Sequence, residues 1–201
     1  MTLVLASASP RRRELLTALG LEFVVRPLDL DEAAIAGTLP PVEAAVAVAT
    51  AKASADGSVV LAADTMVVLD DRVLGKPKDD ADGRAMLRAL RGRTHVVVTG
   101  VAVRIPESRF TAAVESHVRM REYADAEIDA YVARGGGRDK AGSYGIQDDG
   151  FVPVESIHGC YCNVMGLPLW NVFRLLREAG CTAPRRPADV FGRCAVCPMN
   201  A

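Results

Sequence analysis

Val59-Val60-Leu61-Ala62-Ala63-Asp64-Thr65 is the stretch whose reading decides the fold class. Five consecutive apolar residues make a segment of strand length, and an aspartate closes it. An unbroken apolar run, rather than an alternating one, marks a buried strand of a helix-covered sheet. On its C-terminal side, Met66–Leu69 and Arg72–Leu74 flank Asp70-Asp71, the pattern of a tight hairpin. On its N-terminal side, Pro40-Pro41 opens an alanine-rich helix expected to run to about Ala55 and to stop at Gly57.

Working further outward, Leu3–Ala6 reads as a short buried strand. Ser9 then Pro10 is a helix start, with serine as N-cap and proline at the first helical position. Leu15, Leu16 and Leu19 form the apolar stripe of that helix, and Gly20 stands where a terminating glycine belongs. Glu22–Arg26 is a second strand, followed by an acidic loop, Asp29-Leu30-Asp31-Glu32. Beyond the hairpin, Asp80–Arg91 is helical. Thr94–Val98, Val101–Ile105 and Phe110–Arg119 read as three strands, and Asp125 caps a helix that Gly135-Gly136-Gly137 ends. Lys140–Gln147 is a glycine-rich loop, and Leu167-Pro168 starts a final amphipathic helix. Helices and strands alternate in the first half and strands cluster in the middle. The expectation is an α/β fold with a mixed, twisted sheet and flanking helices. Residues 1–183 form the domain, and 184–201, rich in proline, arginine and small residues, form a tail.

The bulk numbers narrow the function classes. The 201 residues are 50% hydrophobic and 24% charged, with 24 basic against 25 acidic residues and a net charge of −1. That balance, with only 5% aromatics, disfavours nucleic-acid binding. No run approaches the roughly 18 apolar residues of a membrane span, and the apolar start is too short for a signal peptide. The five cysteines at 160, 162, 181, 194 and 197 do not resemble a disulfide framework, so a reducing cytoplasm is expected. Cys194-Ala195-Val196-Cys197 is a lone CxxC, and a metal site would need a second pair within reach. Cys160 and Cys162 are spaced differently, so no zinc or redox site is expected there. His95, His117 and His158 lack metal-ligand spacing and read as structural.

Six segments carry chemistry. In Ser7-Ala8-Ser9-Pro10-Arg11-Arg12-Arg13, three arginines sit at the positive end of a helix, a conflict that a bound anion resolves. A solvated basic turn is the alternative. Asp64-Thr65 closes a buried strand, where α/β ligand crevices open; a base, a metal ligand or a plain turn aspartate all fit. Asp31 and Glu32 could supply a second carboxylate for Mg²⁺, which takes one or two protein carboxylates plus phosphate oxygens, or could be a solvated loop. Lys52 and Lys76 could neutralise phosphate or simply face water. Gly142–Gln147 offers flexible backbone and a side-chain amide able to read a base edge, or is a surface turn.

Taken in order, these segments resemble a known family. Ser7–Arg12, Asp31-Glu32, Lys52-Ala53, Ala63-Asp64-Thr65, Gly75-Lys76-Pro77, His95 with Thr99-Gly100, Asp139–Gln147 and Asn163–Leu169 follow the pattern of the Maf family of nucleoside triphosphate pyrophosphatases. The resemblance spans residues 3 to about 180. It implies a two-lobed fold similar to inosine triphosphate pyrophosphatases, with a cleft between the lobes. It also implies hydrolysis between the α and β phosphates of a nucleoside triphosphate. By position it makes Asp64 the general base and Glu32 with Asp64 the ligands of Mg²⁺ or Mn²⁺. Ser7, Arg11, Arg12, Lys52 and Lys76 become phosphate contacts. Arg11, Thr65 and Gln147 match the branch acting on dTTP and UTP. Dimerisation is a family expectation. The family's link to septum formation leaves a second reading, a nucleotide-binding regulator of cell division without essential catalysis.

Overall fold

The computed structural model describes residues 2–54 and 59–200, and the expected stop at Gly57 lies outside them. The strands are β1 (Leu3–Leu5), β2 (Phe23–Val25), β3 (Val59–Leu69), β4 (Arg72–Leu74), β5 (Thr94–Ile105), β6 (Ser108–Met120) and β7 (Val154–His158). The helices are α1 (Pro10–Ala18), α2 (Glu32–Ala36), α3 (Pro41–Lys52), α4 (Asp80–Leu90), α5 (Asp125–Ala133), α6 (Tyr161–Val164), α7 (Leu169–Glu178), α8 (Pro187–Val190) and α9 (Gly192–Ala195). Strands pair in the order β2-β1-β3-β5-β6-β7, with β4 pairing on β3. β1 runs parallel to both β2 and β3, whereas β3/β4 and β6/β7 are antiparallel. The expected mixed α/β sheet is therefore present. Among the described residues no helix is long and apolar enough to cross a membrane.

The chain divides into two compact units: Met1–Thr65, Val98–Glu115 and Cys160–Ala201 in the first, Met66–Val97 and Ser116–Gly159 in the second. The first unit explains the alanines of α3. Val4, Val60, Ala62 and Ala102 from strands, with Ala6 just after β1, meet Ala49 and Ala53, so small side chains let helix and sheet close tightly. Gly100 belongs to the same contact. A Cβ there would stand 2.3 Å from the Ala45 carbonyl, so β5 tolerates only glycine where α3 crosses it.

In the second unit, Asp70 and Asp71 both adopt positive φ, 47° and 62°, as a two-residue hairpin turn requires, and aspartate tolerates that region. Exposed ion pairs, among them Arg84–Asp129 at 2.7 Å and Arg91–Asp125 at 2.9 Å, link α4 to α5. Tyr131 stacks on Phe151 with ring centroids 4.5 Å apart.

Four local readings change. Asp64 does not end a strand: β3 continues to Leu69, because Thr65–Leu69 is as strand-prone as the run before it. Thr94–Ile105 is one strand, uninterrupted by Thr99-Gly100. Asp31-Glu32 begins a helix, with the Asp31 carboxylate accepting from Ala34 N at 2.9 Å. Residues 184–200 carry two short helices, α8 and α9, and buried side chains despite their composition. Cys194 is 1% exposed, and Trp170 Nε1 donates to its carbonyl at 2.9 Å.

Candidate active site

The site in the first unit begins at the turn from β1 into α1. Ser9 caps the helix, its hydroxyl accepting from Arg12 N at 3.4 Å, and Ser9 N donates to Ser7 Oγ at 3.3 Å. The first turn of α1 has no acidic residue to meet the helix dipole. Arg12 turns inward. Nη1 donates to Ala63 O at 2.7 Å and Ser7 Oγ at 3.2 Å, Nη2 to Thr65 Oγ1 at 3.0 Å, and Nε to Gly166 O at 2.8 Å. Four of the five guanidinium donors thus address the chain's own oxygens. Burial lowers the Arg12 pKa, Asp64 opposes that, and Arg11 adds repulsion. The group nonetheless stays charged. Arg11 and Arg12 are half-buried and Arg13 is exposed.

The second element is ionic. Lys52, in the last turn of α3, is 8% exposed, and Asp64 on β3 is 6% exposed. Lys52 Nζ lies 2.8 Å from Asp64 Oδ1 and 2.7 Å from Glu32 Oε1. Two carboxylates therefore converge on one cation. Glu32 arrives from the first residue of α2, and its side chain is largely in solvent. Asp64 is the desolvated member of the pair.

From Thr65 a hydroxyl chain runs on to the segment around Asn163. Thr65 Oγ1 and Thr99 Oγ1 are 3.0 Å apart, and Thr99 Oγ1 donates to Asn163 O at 3.2 Å. Sequence reasoning gave Thr99, Asn163 and Gly166 no individual role. The glycine carried a signal: Gly166 has φ +104°, and a Cβ on it would stand 3.3 Å from Thr65 Oγ1. Only glycine brings that carbonyl to Arg12 and Thr65 unhindered.

Lys76 and Gln147 belong to the second unit, Lys76 in an exposed bend and Gln147 in an exposed turn. Their loops are joined, since Gly142 N donates to Gly75 O at 3.0 Å. The same unit buries His95, whose Nε2 is 2.7 Å from Tyr144 OH with the rings edge to face. Burial lowers the His95 pKa to about 4 and raises that of Tyr144. His95 is a packing residue, as its sequence context suggested.

The structure thus brings Ser7, Arg12 and Thr65 into one hydrogen-bonded set, and Lys52, Asp64 and Glu32 into another, within one unit. This is an α/β protein whose first unit presents an ionic site of two carboxylates and a lysine beside an arginine-bearing helix start. The chain belongs to the Maf-like protein family, whose sequence pattern matches residues 2–179. A dTTP/UTP pyrophosphatase of Anaeromyxobacter dehalogenans is 51% identical over 187 residues, covering 90% of this chain and 96% of that protein. One from Thermomicrobium roseum is 50% identical over 185 residues, covering 90% and 85%. One from Moorella thermoacetica is 48% identical over 200 residues, covering 95% and 98%. Among solved structures, a HAM1 protein from Coxiella burnetii aligns with a TM-score of 0.42 at 22% identity, covering 60% of this chain and 73% of that one.

Proposed function

We propose that this protein hydrolyses dTTP and UTP to the monophosphate and pyrophosphate. The observation that carries the reading is the convergence of Asp64 and Glu32 on a single cation position, in a family whose close relatives are named dTTP/UTP pyrophosphatases. Lys52 Nζ holds that position in the free protein, and once Lys52 turns to phosphate the two carboxylates would offer a hard-oxygen donor set of the kind Mg²⁺ or Mn²⁺ takes, completed by phosphate oxygens. When bound, such a cation polarises the α-phosphate and favours deprotonation of water.

The chain's own residues do the rest. Asp64 Oδ1 is engaged by Lys52, so Oδ2 is the oxygen assigned to accept the water's proton. The water oxygen bonds to the α-phosphorus, the bond from that phosphorus to the bridging oxygen breaks, and pyrophosphate leaves. Ser7, Arg11, Lys52 and Lys76 contact phosphate oxygens and balance charge on the leaving group. Arg12 contributes from a position fixed by Ser7, Ala63, Thr65 and Gly166. Thr65 and Gln147 favour pyrimidines, the amide of Gln147 donating to and accepting from the base edge. A cytoplasmic location suits five free cysteines.

The test is pyrophosphate release from a panel of nucleotides with and without Mg²⁺. Preference for dTTP and UTP over ATP, GTP and 7-methyl-GTP is expected. A site that hydrogen-bonds one base rejects others by leaving polar groups unpaired, a discrimination that can reach roughly 10⁴. Gln147→Ala should lower kcat/KM for dTTP and UTP far more than for residual purine hydrolysis. Tight nucleotide binding without turnover would instead identify a regulator.

A further inference from the structure

Two cysteine pairs stand outside the site described above: Cys160-Tyr161-Cys162 at the entry to α6, and Cys194-Ala195-Val196-Cys197 in and after α9. The structure brings them together within the first unit. Cys162 Sγ and Cys194 Sγ are 3.4 Å apart, and the Cys160 thiol is hydrogen-bonded with that of Cys197. The four side chains are 1%, 0%, 1% and 7% exposed for Cys160, Cys162, Cys194 and Cys197. A further contact ties the same segments: the Arg193 guanidinium lies 4.5 Å from the Tyr161 ring centroid. The second pair that a metal site would need, absent from the sequence spacing, is supplied by the fold.

Three arrangements could use four such thiols: an apolar cluster, two disulfides or a metal centre. Buried cysteine packs well as a small apolar residue, but that does not require four of them, two from each of two segments, to meet. A disulfide places its sulfurs at about 2.0 Å, and forming one from two thiols needs an oxidant. A zinc ion with four thiolates at about 2.3 Å in a tetrahedron sets the sulfurs about 3.8 Å apart, within a few tenths of an ångström of the Cys162–Cys194 separation. As they stand the sulfurs form two contacting pairs, and no three thiol, imidazole or carboxylate groups among the described residues have the geometry of a bound ion. Loading therefore draws the two pairs together by side-chain rotation.

We propose that Cys160, Cys162, Cys194 and Cys197 form a tetrathiolate site for a zinc-class cation that ties the C-terminal segment to the 160–166 loop. Each thiol gives up its proton on binding, so one divalent ion displaces four protons and leaves a centre of charge −2, with Arg193 nearby. The all-sulfur donor set is soft and selects zinc over magnesium, which keeps it separate from the hard carboxylates of Glu32 and Asp64. The consequence is structural. Leu167 N donates to Cys162 O at 2.9 Å, and the same loop presents the Asn163 carbonyl to Thr99 and the Gly166 carbonyl to Arg12.

The experiment uses the full chain, purified under reducing conditions after growth with added zinc. Elemental analysis should find about one zinc per chain, and cobalt exchanged into the wild-type protein should show thiolate-to-cobalt charge transfer with the intense visible bands of a tetrahedral ion. The double variant Cys194→Ser with Cys197→Ser should lose at least about nine-tenths of the metal, while Cys181→Ser, outside the cluster, should retain it. Cobalt titration of the wild type needs no variant, so the test survives a misfolded mutant. Metal-free wild type with all five thiols titratable and no tetrahedral cobalt spectrum would overturn the proposal. A mass deficit of two hydrogens per pair, the signature of disulfides, would overturn it equally.

Discussion

The two units bury polar groups in opposite ways. The first buries a lysine against a carboxylate, Lys52 with Asp64, and adds the half-buried Arg12, so opposite charges share a sparsely hydrated space. The second buries His95 against Tyr144, and desolvation lowers the imidazole pKa to about 4, well below neutrality. The histidine pair needs only to pack. A buried ion pair is different, because its desolvation cancels most of the attraction and contributes little to net stability. Retaining one beside a helix start free of acidic residues makes sense when a charged ligand completes it.

The sharpest way to break that comparison is at Asp64. Asp64→Asn preserves shape and can still bond to Lys52, but cannot accept a proton. Turnover measured by pyrophosphate release should fall by about 10²–10⁴, while triphosphate binding persists. His95→Asn should leave kcat within a few-fold. Activity of the Asp64 variant near that of wild type would remove the catalytic reading of the ion pair.

Lys52→Met tests the same pair as structure. It leaves Asp64 buried without its ammonium partner, and orphaning one member of a buried pair costs about 3–5 kcal/mol. For a chain of this length about 1 kcal/mol corresponds to roughly 2–4 °C in Tm, so thermal unfolding should move by about 6–20 °C. Lys52→Met combined with Asp64→Leu should recover much of the stability and none of the activity. A shift of only a degree or two for the single variant would mean water already screens Asp64.

His95 gives the matching experiment for the second unit. Above its unfolded pKa of 6.5 the imidazole is neutral in both states. As pH falls from 6.5 towards 4 the unfolded chain takes up a proton that the native state refuses, so stability is lost across that window and levels off below it. At about 1.4 kcal/mol per unit, the loss between pH 7 and pH 5 should be about 2 kcal/mol. Urea denaturation at the two pH values should show His95→Gln with a shallower dependence by that amount. Equal slopes would mean that His95 is hydrated. Nδ1 has no hydrogen-bond partner among the described residues, which is why a second ring proton is unwelcome.

How much of this was legible in the sequence follows from the range of the interactions. Local signals were: Ser9-Pro10 announced α1, Gly20 its end, and Asp70-Asp71 the hairpin. The apolar run at Val59–Ala63 located the strand that carries Asp64 but misjudged its end, because a polar Asp64-Thr65 looks like a boundary until Lys52 and Arg12 satisfy it. Thr99-Gly100 looked like a break for the same reason. Its glycine answers α3, some fifty residues away in sequence. Least legible was the C-terminal segment, where the pairing of Cys194 with Cys162 spans 32 positions and no periodicity announces it.

The smallest effect compares one helix cap from each unit. Ser9 Oγ accepts from Arg12 N at 3.4 Å, a long bond, whereas Asp79 Oδ1 accepts from Asp82 N at 2.8 Å at the start of α4. Removing a cap costs about 0.5–2 kcal/mol. Bond length places Ser9→Ala at the lower end, near ~0.5 kcal/mol, and Asp79→Ala nearer ~1 kcal/mol. Part of the aspartate's benefit is offset by Asp80 and Asp82, which crowd the same turn with negative charge. Stability alone would therefore rank Asp79 first. Function should reverse the order, because α1 carries the arginine that reaches Ser7, Ala63, Thr65 and Gly166, and fraying its first turn loosens all four contacts together. Ser9→Ala should raise KM for the triphosphate several-fold with little change in Tm, and Asp79→Ala should lower Tm with KM unchanged. If both variants moved only Tm, in proportion to their bond lengths, the cap at Ser9 would be an ordinary helix start, and Arg12 would owe its position to its side-chain bonds alone.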